Sequence, residues 1–234
     1  MIKCQPFRNP LCLALDVDTR EEAVSIALEL EDIVGGLKVG PRLIQRYGQN
    51  LVQELAQICP VFIDCKFFDI PSTMIAAVRA SFESGASVVT VHAMAGQEAL
   101  VELAKLEKEL NAIRAFRILA VTILTSWNEK SFSAIFRPQP VANHVRQLAE
   151  LVSSCGLQSV VCSPEEIDLL KDLNLFLLTP GIRMPQDEKG DQKRVLGPYE
   201  AIQRGSSALV VGRPILQAQN RKKAGADFLA EIYR

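Results

Sequence analysis

Short apolar runs alternate with longer stretches of helical period along almost the whole of this 234-residue sequence. Eight of the runs have the length and composition of buried β-strands. They are "LCLALDV" (11–17), "GLKVG" (36–40), "VFIDCKF" (61–67), "SVVTVHA" (87–93), "ILAVTIL" (118–124), "QSVVCS" (158–163), "LFLLTPG" (175–181) and "ALVVG" (208–212). Strands that alternate with helices in this way are typical of repeated βα units, which form parallel sheets.

The segments between these strands carry helix boundary signals. Thr19 and Glu22 have the spacing of a capping box before "AVSIALEL", and a serine-proline pair at 163–164 precedes "EIDLL". Gly85 and Gly205 stand where helices are expected to end. Eight βα units in a chain of this length predict a single-domain (β/α)8 TIM barrel. A doubly wound open sheet is the alternative, because the same periodicity would produce it.

Composition excludes several classes of function. The 26 basic and 27 acidic side chains nearly balance, so the chain has no general attraction to nucleic acid or anionic lipid. The six cysteines include no CxxC pair, and two histidines do not complete the usual zinc spacing, so no metal site is predicted. No apolar stretch reaches the roughly 18 residues of a membrane span, and no signal peptide is recognisable. We expect a soluble cytoplasmic protein with reduced thiols.

The third predicted strand contains charges that a buried strand normally excludes. In "VFIDCKFFDIPST" (61–73), side-chain alternation places Phe62, Asp64 and Lys66 on one face and the apolar residues between them on the other. The apolar face suits contact with the surrounding helices. We therefore expect Asp64 and Lys66 to point into the barrel near its mouth, with Asp69 above it. A buried ion pair that only fixes the strand is an equally good interpretation of this stretch alone.

Polar residues recur at the ends of other predicted strands. Asp16 closes the first strand, Lys38 lies in the second, His92 ends the fourth and Thr125 follows the fifth. Each has an ordinary explanation by itself, such as a helix cap, a surface lysine or a core histidine. Because the active sites of these barrels lie at the C-terminal ends of the strands, the residues together predict one site at that mouth.

The loops after strands seven and eight predict an anion site. "TPGIR" ends at Arg183, and "VVGRP" contains Gly212 and Arg213, in the two loops where barrels frequently bind phosphate. Pro214 suits the first position of a helix, whose N-terminus favours an anion. Turn chemistry with two solvated arginines is the alternative. The polar loop 183–197 has the length of a lid, a binding loop or a disordered segment.

These motifs together resemble those of the orotidine 5'-monophosphate decarboxylase family. "LALDV", "GLKVG", "FIDCKFFDIPST", "VHA", "VTILTS", "TPGIR", "GDQKRV" and "VGRP" follow the family's order across residues 11–216. The chain departs from the commonest family pattern at Cys65, Phe68 and Ser72. The DxKxxD pattern alone is shared with magnesium-dependent keto-gulonate phosphate decarboxylases and hexulose phosphate synthases, and the continuation "IPST" favours the orotidine enzymes.

The resemblance implies a specific reaction and assembly. The reaction is cofactor-free decarboxylation of orotidine 5'-monophosphate to UMP and CO2 in de novo pyrimidine biosynthesis. Lys66 would stabilise and protonate the C6 carbanion, in a catalytic set with Asp64, Asp69 and Lys38. The implied substrate-binding residues are Asp16, Lys38, Thr73, Thr125, Arg183, Gln192, Gly212 and Arg213, of which the last four would bind the 5'-phosphate. The implied homodimer shares Asp69 and Thr73 across its interface.

Two further expectations depend on that reaction. Phosphate binding is remote from C6, so its binding energy would close the loop 183–197 over the site as a lid. Two alternatives to the decarboxylase remain at this point. One is a metal-dependent relative acting on a sugar phosphate, and the other is a barrel that binds a phosphometabolite without turning it over.

Overall fold

The computed structural model describes residues 6–127, 132, 139–185, 187 and 195–234. The predicted strands form a closed parallel barrel, in which each strand pairs with the next and the last pairs with the first. They are β1 (Leu11–Ala14), β2 (Gly36–Val39), β3 (Val61–Phe67), β4 (Val88–His92), β5 (Arg117–Val121), β6 (Ser159–Val161), β7 (Phe176–Pro180) and β8 (Ala208–Val211). The closure confirms the (β/α)8 barrel and excludes the open sheet.

Helices connect the strands and form the outer layer. They are α1 (Arg20–Leu30), α2 (Pro41–Ala56), α3 (Pro71–Glu83), α4 (Gln97–Asn111), α5 (Val141–Ser154), α6 (Ile167–Leu170), α7 (Pro198–Arg204), α8 (Arg213–Leu216) and α9 (Arg221–Ile232). Thr19 caps α1 by accepting a hydrogen bond from the Glu22 amide at 3.2 Å. Gly205 ends α7 with a φ of 116°, which favours glycine. Within the described ranges, no helix combines the length and the apolar composition that crossing a membrane requires.

Two apolar cores lie on the two sides of the sheet. Ile63 belongs to the larger core, between strands and helices, and Cys65 and Phe67 pack against it. Phe62 belongs to the smaller core inside the barrel. The expected division of β3 into an inner and an outer face is therefore confirmed for its apolar residues.

The N-terminal end of the barrel interior is filled with side chains. Phe7 packs against Phe62, with ring centroids 6.4 Å apart. Arg117, the first residue of β5, donates from Nη1 to the Ser159 hydroxyl at 2.8 Å and lies over the ring of Phe176. Since Ser159 and Phe176 also begin their strands, these contacts form a layer across the bottom of the barrel. Space for a site remains at the opposite, C-terminal end.

The third strand departs from regular pairing where its charges lie. Ile63 pairs with Val89 and Phe67 pairs with Val91, so three residues of β3 face Thr90 alone. This β-bulge includes Lys66, whose φ of 51° lies in the left-handed region. For a residue with a Cβ, that conformation costs about 1–2 kcal/mol. Strict alternation, which predicts a regular strand here, therefore does not describe the backbone between Asp64 and Phe67.

The loop between β7 and α7 is described at its two ends. Residues 186 and 188–194, and with them Gln192, lie outside the described residues. Ile182 and Leu196 form an isolated parallel bridge, and the Arg183 amide donates to the Leu196 carbonyl at 3.0 Å. These contacts hold the two ends of the loop side by side, next to the end of β7.

Candidate active site

A cavity of about 230 Å³ lies at the C-terminal ends of the strands. Its wall includes apolar side chains from several strands, among them Phe62, Val121 and Val210. Its polar lining is formed by Asp16, Lys38, Asp64, Lys66, Thr125, Arg183, Gly212 and Arg213. The cavity therefore brings together polar residues from six of the eight strands. Some lie within a strand and the others lie in the segment that follows it.

Charged side chains of alternating sign cross the floor of this cavity. Lys38 Nζ lies 3.3 Å from Asp16 Oδ1 and 3.6 Å from Asp64 Oδ2. On the other side of Asp64, Lys66 Nζ donates to Asp64 Oδ1 at 2.9 Å. The order Asp16–Lys38–Asp64–Lys66 places an opposite charge beside every member, and each charge stabilises the next.

The middle of this charge chain is less exposed than its ends. The side chains of Lys38 and Asp64 are 14% and 16% exposed, whereas those of Asp16 and Lys66 are 56% and 37% exposed. Burial opposes the charge on Asp64, but Lys38 and Lys66 outweigh it and lower the pKa of the carboxyl. Burial also opposes the charge on Lys38, but Asp64 and Asp16 outweigh it and raise the pKa of the ammonium. Both groups are ionised at neutral pH.

Thr90 contacts this charge chain, and our sequence reasoning misses it. Its hydroxyl donates to Asp64 Oδ1 at 3.0 Å and accepts from the Lys66 amide at 2.9 Å. The residue is fully buried. The available signal was its position in "SVVTVHA", where period two places Thr90 on the same inner face as Val88. A hydroxyl on that face needs a polar partner inside the barrel.

The loops after β7 and β8 bring two arginines to the cavity. Arg183 is only 8% exposed, and its Nη1 donates to the Ile182 carbonyl at 2.8 Å. Arg213 begins α8, so Pro214 occupies the second helical position and not the predicted first. A Cβ on Gly212 would lie 3.4 Å from the Ala14 Cβ and 3.6 Å from Asp16 Oδ2. A side chain here would make only ordinary van der Waals contacts, so the loop after β8 lies next to the end of β1 without requiring glycine.

Asp69 and Thr73 are described, but they do not line the cavity of their own chain. Both are exposed, and Asp69 Oδ1 accepts a hydrogen bond from the Ile70 amide at 2.7 Å. The flanking side chains of Phe68 and Ile70 are 61% and 63% exposed. This segment therefore presents an exposed carboxylate between two large, exposed apolar side chains, outside the lining of its own cavity.

His92 ends β4 as predicted but does not line the cavity either. Its ring lies against that of Phe68, with centroids 5.5 Å apart, and its Nδ1 accepts from the Met94 amide at 3.3 Å. Burial and the nearby charge of Lys66 lower the pKa of this histidine. In the part of the chain that the structure describes, no three His, Cys, Asp or Glu side chains are grouped as metal ligands.

Comparisons with known proteins identify the family of this chain. The model of the orotidine 5'-phosphate decarboxylase / HUMPS family matches residues 9–228. An orotidine 5'-phosphate decarboxylase of Carboxydothermus hydrogenoformans is 38% identical over 228 residues, which cover 95% of each chain. One of Coxiella burnetii is 39% identical over 216 residues, covering 91% of this chain and 92% of the relative. The crystal structure of orotidine 5'-phosphate decarboxylase from Lactobacillus acidophilus superposes with a TM-score of 0.83 at 30% identity, covering 97% of this chain and 100% of that one. The chain therefore belongs to the orotidine 5'-phosphate decarboxylase / HUMPS family.

Proposed function

We propose that this protein decarboxylates orotidine 5'-monophosphate to UMP and CO2 without a cofactor, with Lys66 as the acid that protonates C6. The observation that carries the proposal is the Lys66 ammonium, which a largely buried carboxylate holds at 2.9 Å in the wall of the cavity. The relatives named as orotidine 5'-phosphate decarboxylases support the same reaction. We place the reaction in the cytoplasm, where the free thiols of the described cysteines stay reduced.

The lining of the cavity suits the three parts of this substrate. Apolar side chains such as Val161 and Leu178 provide surface for the flat pyrimidine, and Thr125 provides a hydroxyl for its polar edge. We assign the ribose hydroxyls to Asp16 and Lys38, which line the cavity 3.3 Å from each other. Arg183 and Arg213 supply positive charge for the 5'-phosphate, and Gly212, directly after β8, allows a close approach to its backbone. We assign Gln192 to the phosphate as well, by its match to the family motif.

The proposed chemistry needs one proton and one fixed positive charge. Loss of CO2 breaks the bond between C6 and the carboxylate carbon and leaves the electron pair on C6. That pair lies in the plane of the ring, so the π-system does not delocalise it well. An ammonium at 4 Å stabilises it by about 4 kcal/mol at an effective dielectric near 20. Lys66 then transfers a proton to C6, and its neutral amine regains a proton from water.

Asp64 has two roles in this scheme. Its charge-assisted hydrogen bond fixes the direction of the Lys66 ammonium. Lys38 and Lys66 keep Asp64 ionised. In the proposed complex, this negative charge would lie close to the substrate carboxylate. Repulsion between the two carboxylates raises the energy of the bound substrate and is relieved when CO2 leaves.

The rate of orotidine 5'-monophosphate decarboxylation is expected to be the same with and without excess EDTA. In the proposed reaction the chain's own ammonium supplies the positive charge that a metal ion supplies in other enzymes. The measurement is the change in pyrimidine absorbance as substrate becomes UMP, with a magnesium-dependent enzyme as the control for chelation. A loss of activity that added Mg²⁺ restores would favour the metal-dependent relatives. A complete absence of turnover would favour a binding protein.

We also propose that the loop 183–197 closes over the bound phosphate. The hydrogen bond from the Arg183 amide to Leu196 holds the two ends of this loop beside the cavity. Energy from phosphate binding, far from C6, can drive such a closure and exclude water from the reaction. The contact between this loop and the bound phosphate would then both recognise the phosphate and close the site.

Replacing residues 186–192 with a short Gly-Ser link is expected to lower kcat/KM for orotidine 5'-monophosphate while barely changing it for phosphate-free orotidine. Orotidine lacks the phosphate whose binding energy drives closure, so removing the loop should change its kcat/KM little. The measurement is kcat/KM for both substrates, with thermal melting as the control for folding. Equal losses on the two substrates would remove the role of this loop as a lid.

We further propose a homodimer in which Asp69 and Thr73 complete the neighbouring subunit's site. The support is that both residues are exposed on their own chain and absent from the described lining of its cavity. Phe68 and Ile70 flank Asp69 with apolar surface that a partner would cover. A two-fold interface would place the same segment of each chain over the other's mouth.

A further inference from the structure

The bulge in β3 is held by a side chain from the neighbouring strand. Between the pairs Ile63–Val89 and Phe67–Val91, three residues of β3 face Thr90 of β4. The Lys66 amide donates to the Thr90 hydroxyl at 2.9 Å. That hydroxyl satisfies a part-buried backbone donor, which a regular parallel ladder would pair with a carbonyl oxygen.

The same hydroxyl binds the carboxylate that orients Lys66. A threonine hydroxyl has one proton to donate and two lone pairs to accept with. Here the proton is directed to Asp64 Oδ1, at 3.0 Å, while the amide of Lys66 occupies a lone pair. Asp64 Oδ1 also accepts from Lys66 Nζ at 2.9 Å. Thr90 therefore fixes both the backbone of Lys66 and the partner of its ammonium.

These two hydrogen bonds of Thr90 hold a residue whose backbone conformation is strained. Lys66 has a φ of 51°, which is unfavourable for a residue with a Cβ and persists only where the surroundings determine it. We propose that Thr90 is a positioning residue, which keeps Lys66 in the left-handed conformation that directs its ammonium into the cavity. The inference rests on the proposed decarboxylation, in which Lys66 is the acid.

The charges around Asp64 make this role visible in a pH profile. The groups that interact with it electrostatically or by hydrogen bond are Cys12 on β1, Lys38 on β2, Cys65 and Lys66 on β3, and Thr90 on β4, with His92 of β4 near Lys66 and Asp16 beyond Lys38. Burial opposes ionisation of Asp64, whereas the two lysines and the Thr90 hydrogen bond favour it. Loss of that hydrogen bond raises the pKa of Asp64. The carboxylate then loses its charge at a higher pH, so the acidic limb of the plot of rate against pH shifts to higher pH.

The test compares Thr90→Val with Thr90→Ser and Thr122→Val. The first variant removes the hydroxyl and keeps the branched shape, while the second keeps the hydroxyl. Thr122 is a matched control, because it is also fully buried and its hydroxyl donates to the Val161 carbonyl at 3.1 Å. We expect Thr90→Val to lower kcat about 10- to 100-fold, the effect of losing a hydrogen bond to a charged group, with little change in KM. Thr90→Ser should recover most of that loss.

Several outcomes would overturn the inference. They are a kcat for Thr90→Val near that of the parent, an equal loss in Thr122→Val, and an acidic limb that does not move. A crystal structure of Thr90→Val gives a test that does not depend on the reaction. We expect Lys66 to leave the left-handed region or its Nζ to move away from Asp64, and an unchanged geometry would refute the positioning role. If the parent has no activity on orotidine 5'-monophosphate, the proposed function fails, and this structure still decides the role of Thr90.

Discussion

Lys66→Ala is expected to remove nearly all decarboxylation of orotidine 5'-monophosphate and to leave the fold intact. The substitution deletes both the proton donor and the positive charge opposite the carbanion, effects that together amount to about 10⁴-fold or more in kcat. The barrel does not depend on this ammonium, because the side chain lies at the mouth and is 37% exposed. Asp64 retains Lys38 and the Thr90 hydroxyl as partners.

The measurement is kcat at saturating substrate, together with the melting temperature of each variant. Lys105→Ala is a suitable control, because it removes a lysine that is 67% exposed and paired only with Glu102 among the contacts described for it. It should leave both quantities unchanged. Turnover of Lys66→Ala within tenfold of the parent would count decisively against Lys66 as the acid.

A mixture of two inactive variants, Lys66→Ala and Asp69→Ala, is expected to regain about a quarter of the parent activity after dissociation and reassembly. In the proposed dimer each site takes Lys66 from one chain and Asp69 from the other. A mixed dimer then has one site that lacks both groups and one site that has both. Random pairing makes about half of the dimers mixed, each with one intact site of two.

The matched control for this experiment is a mixture of Lys66→Ala with Asp64→Ala. Asp64 and Lys66 are hydrogen-bonded within one chain, so every site in that mixture lacks one of them and no activity should return. Mass measurement establishes that mixed dimers have formed. If they form from Lys66→Ala and Asp69→Ala without any recovery, the site is not shared between subunits.

The barrel is predictable from the sequence because its signal is local. A run of buried residues identifies each strand, and the alternation of strands with helices leaves few topologies. The strand ends are less well predicted. β1 stops at Ala14 and not at Val17, because the Asp16 amide turns back to the Ala14 carbonyl at 3.0 Å. Asp16 therefore lies in a turn above the strand, which brings it within reach of Lys38.

The contacts of Lys66 were not predictable in the same way. Period two correctly suggests that Asp64 and Lys66 share a side, but the observed backbone reaches that result through a bulge. The bulge and the contact with the Thr90 hydroxyl both depend on the register between β3 and β4. That register cannot be derived from the sequence of either strand alone. The proposed role of Asp69 is harder still to predict, since within its own chain Asp69 hydrogen-bonds the Ile70 amide and does not line the cavity.

Pairing between β1 and β8 has a consequence for how the protein is made. Asp16 follows the first strand and Arg213 follows the last, and the loop at Gly212 lies next to the end of β1. A ribosome therefore releases the ribose-binding and phosphate-binding halves of the proposed site at opposite ends of translation. When Lys38, Asp64 and Lys66 have already been synthesised, the nascent chain still lacks β8, the strand that closes the barrel. In the proposed enzyme the site is therefore complete only after β8 has been synthesised and has paired with β1.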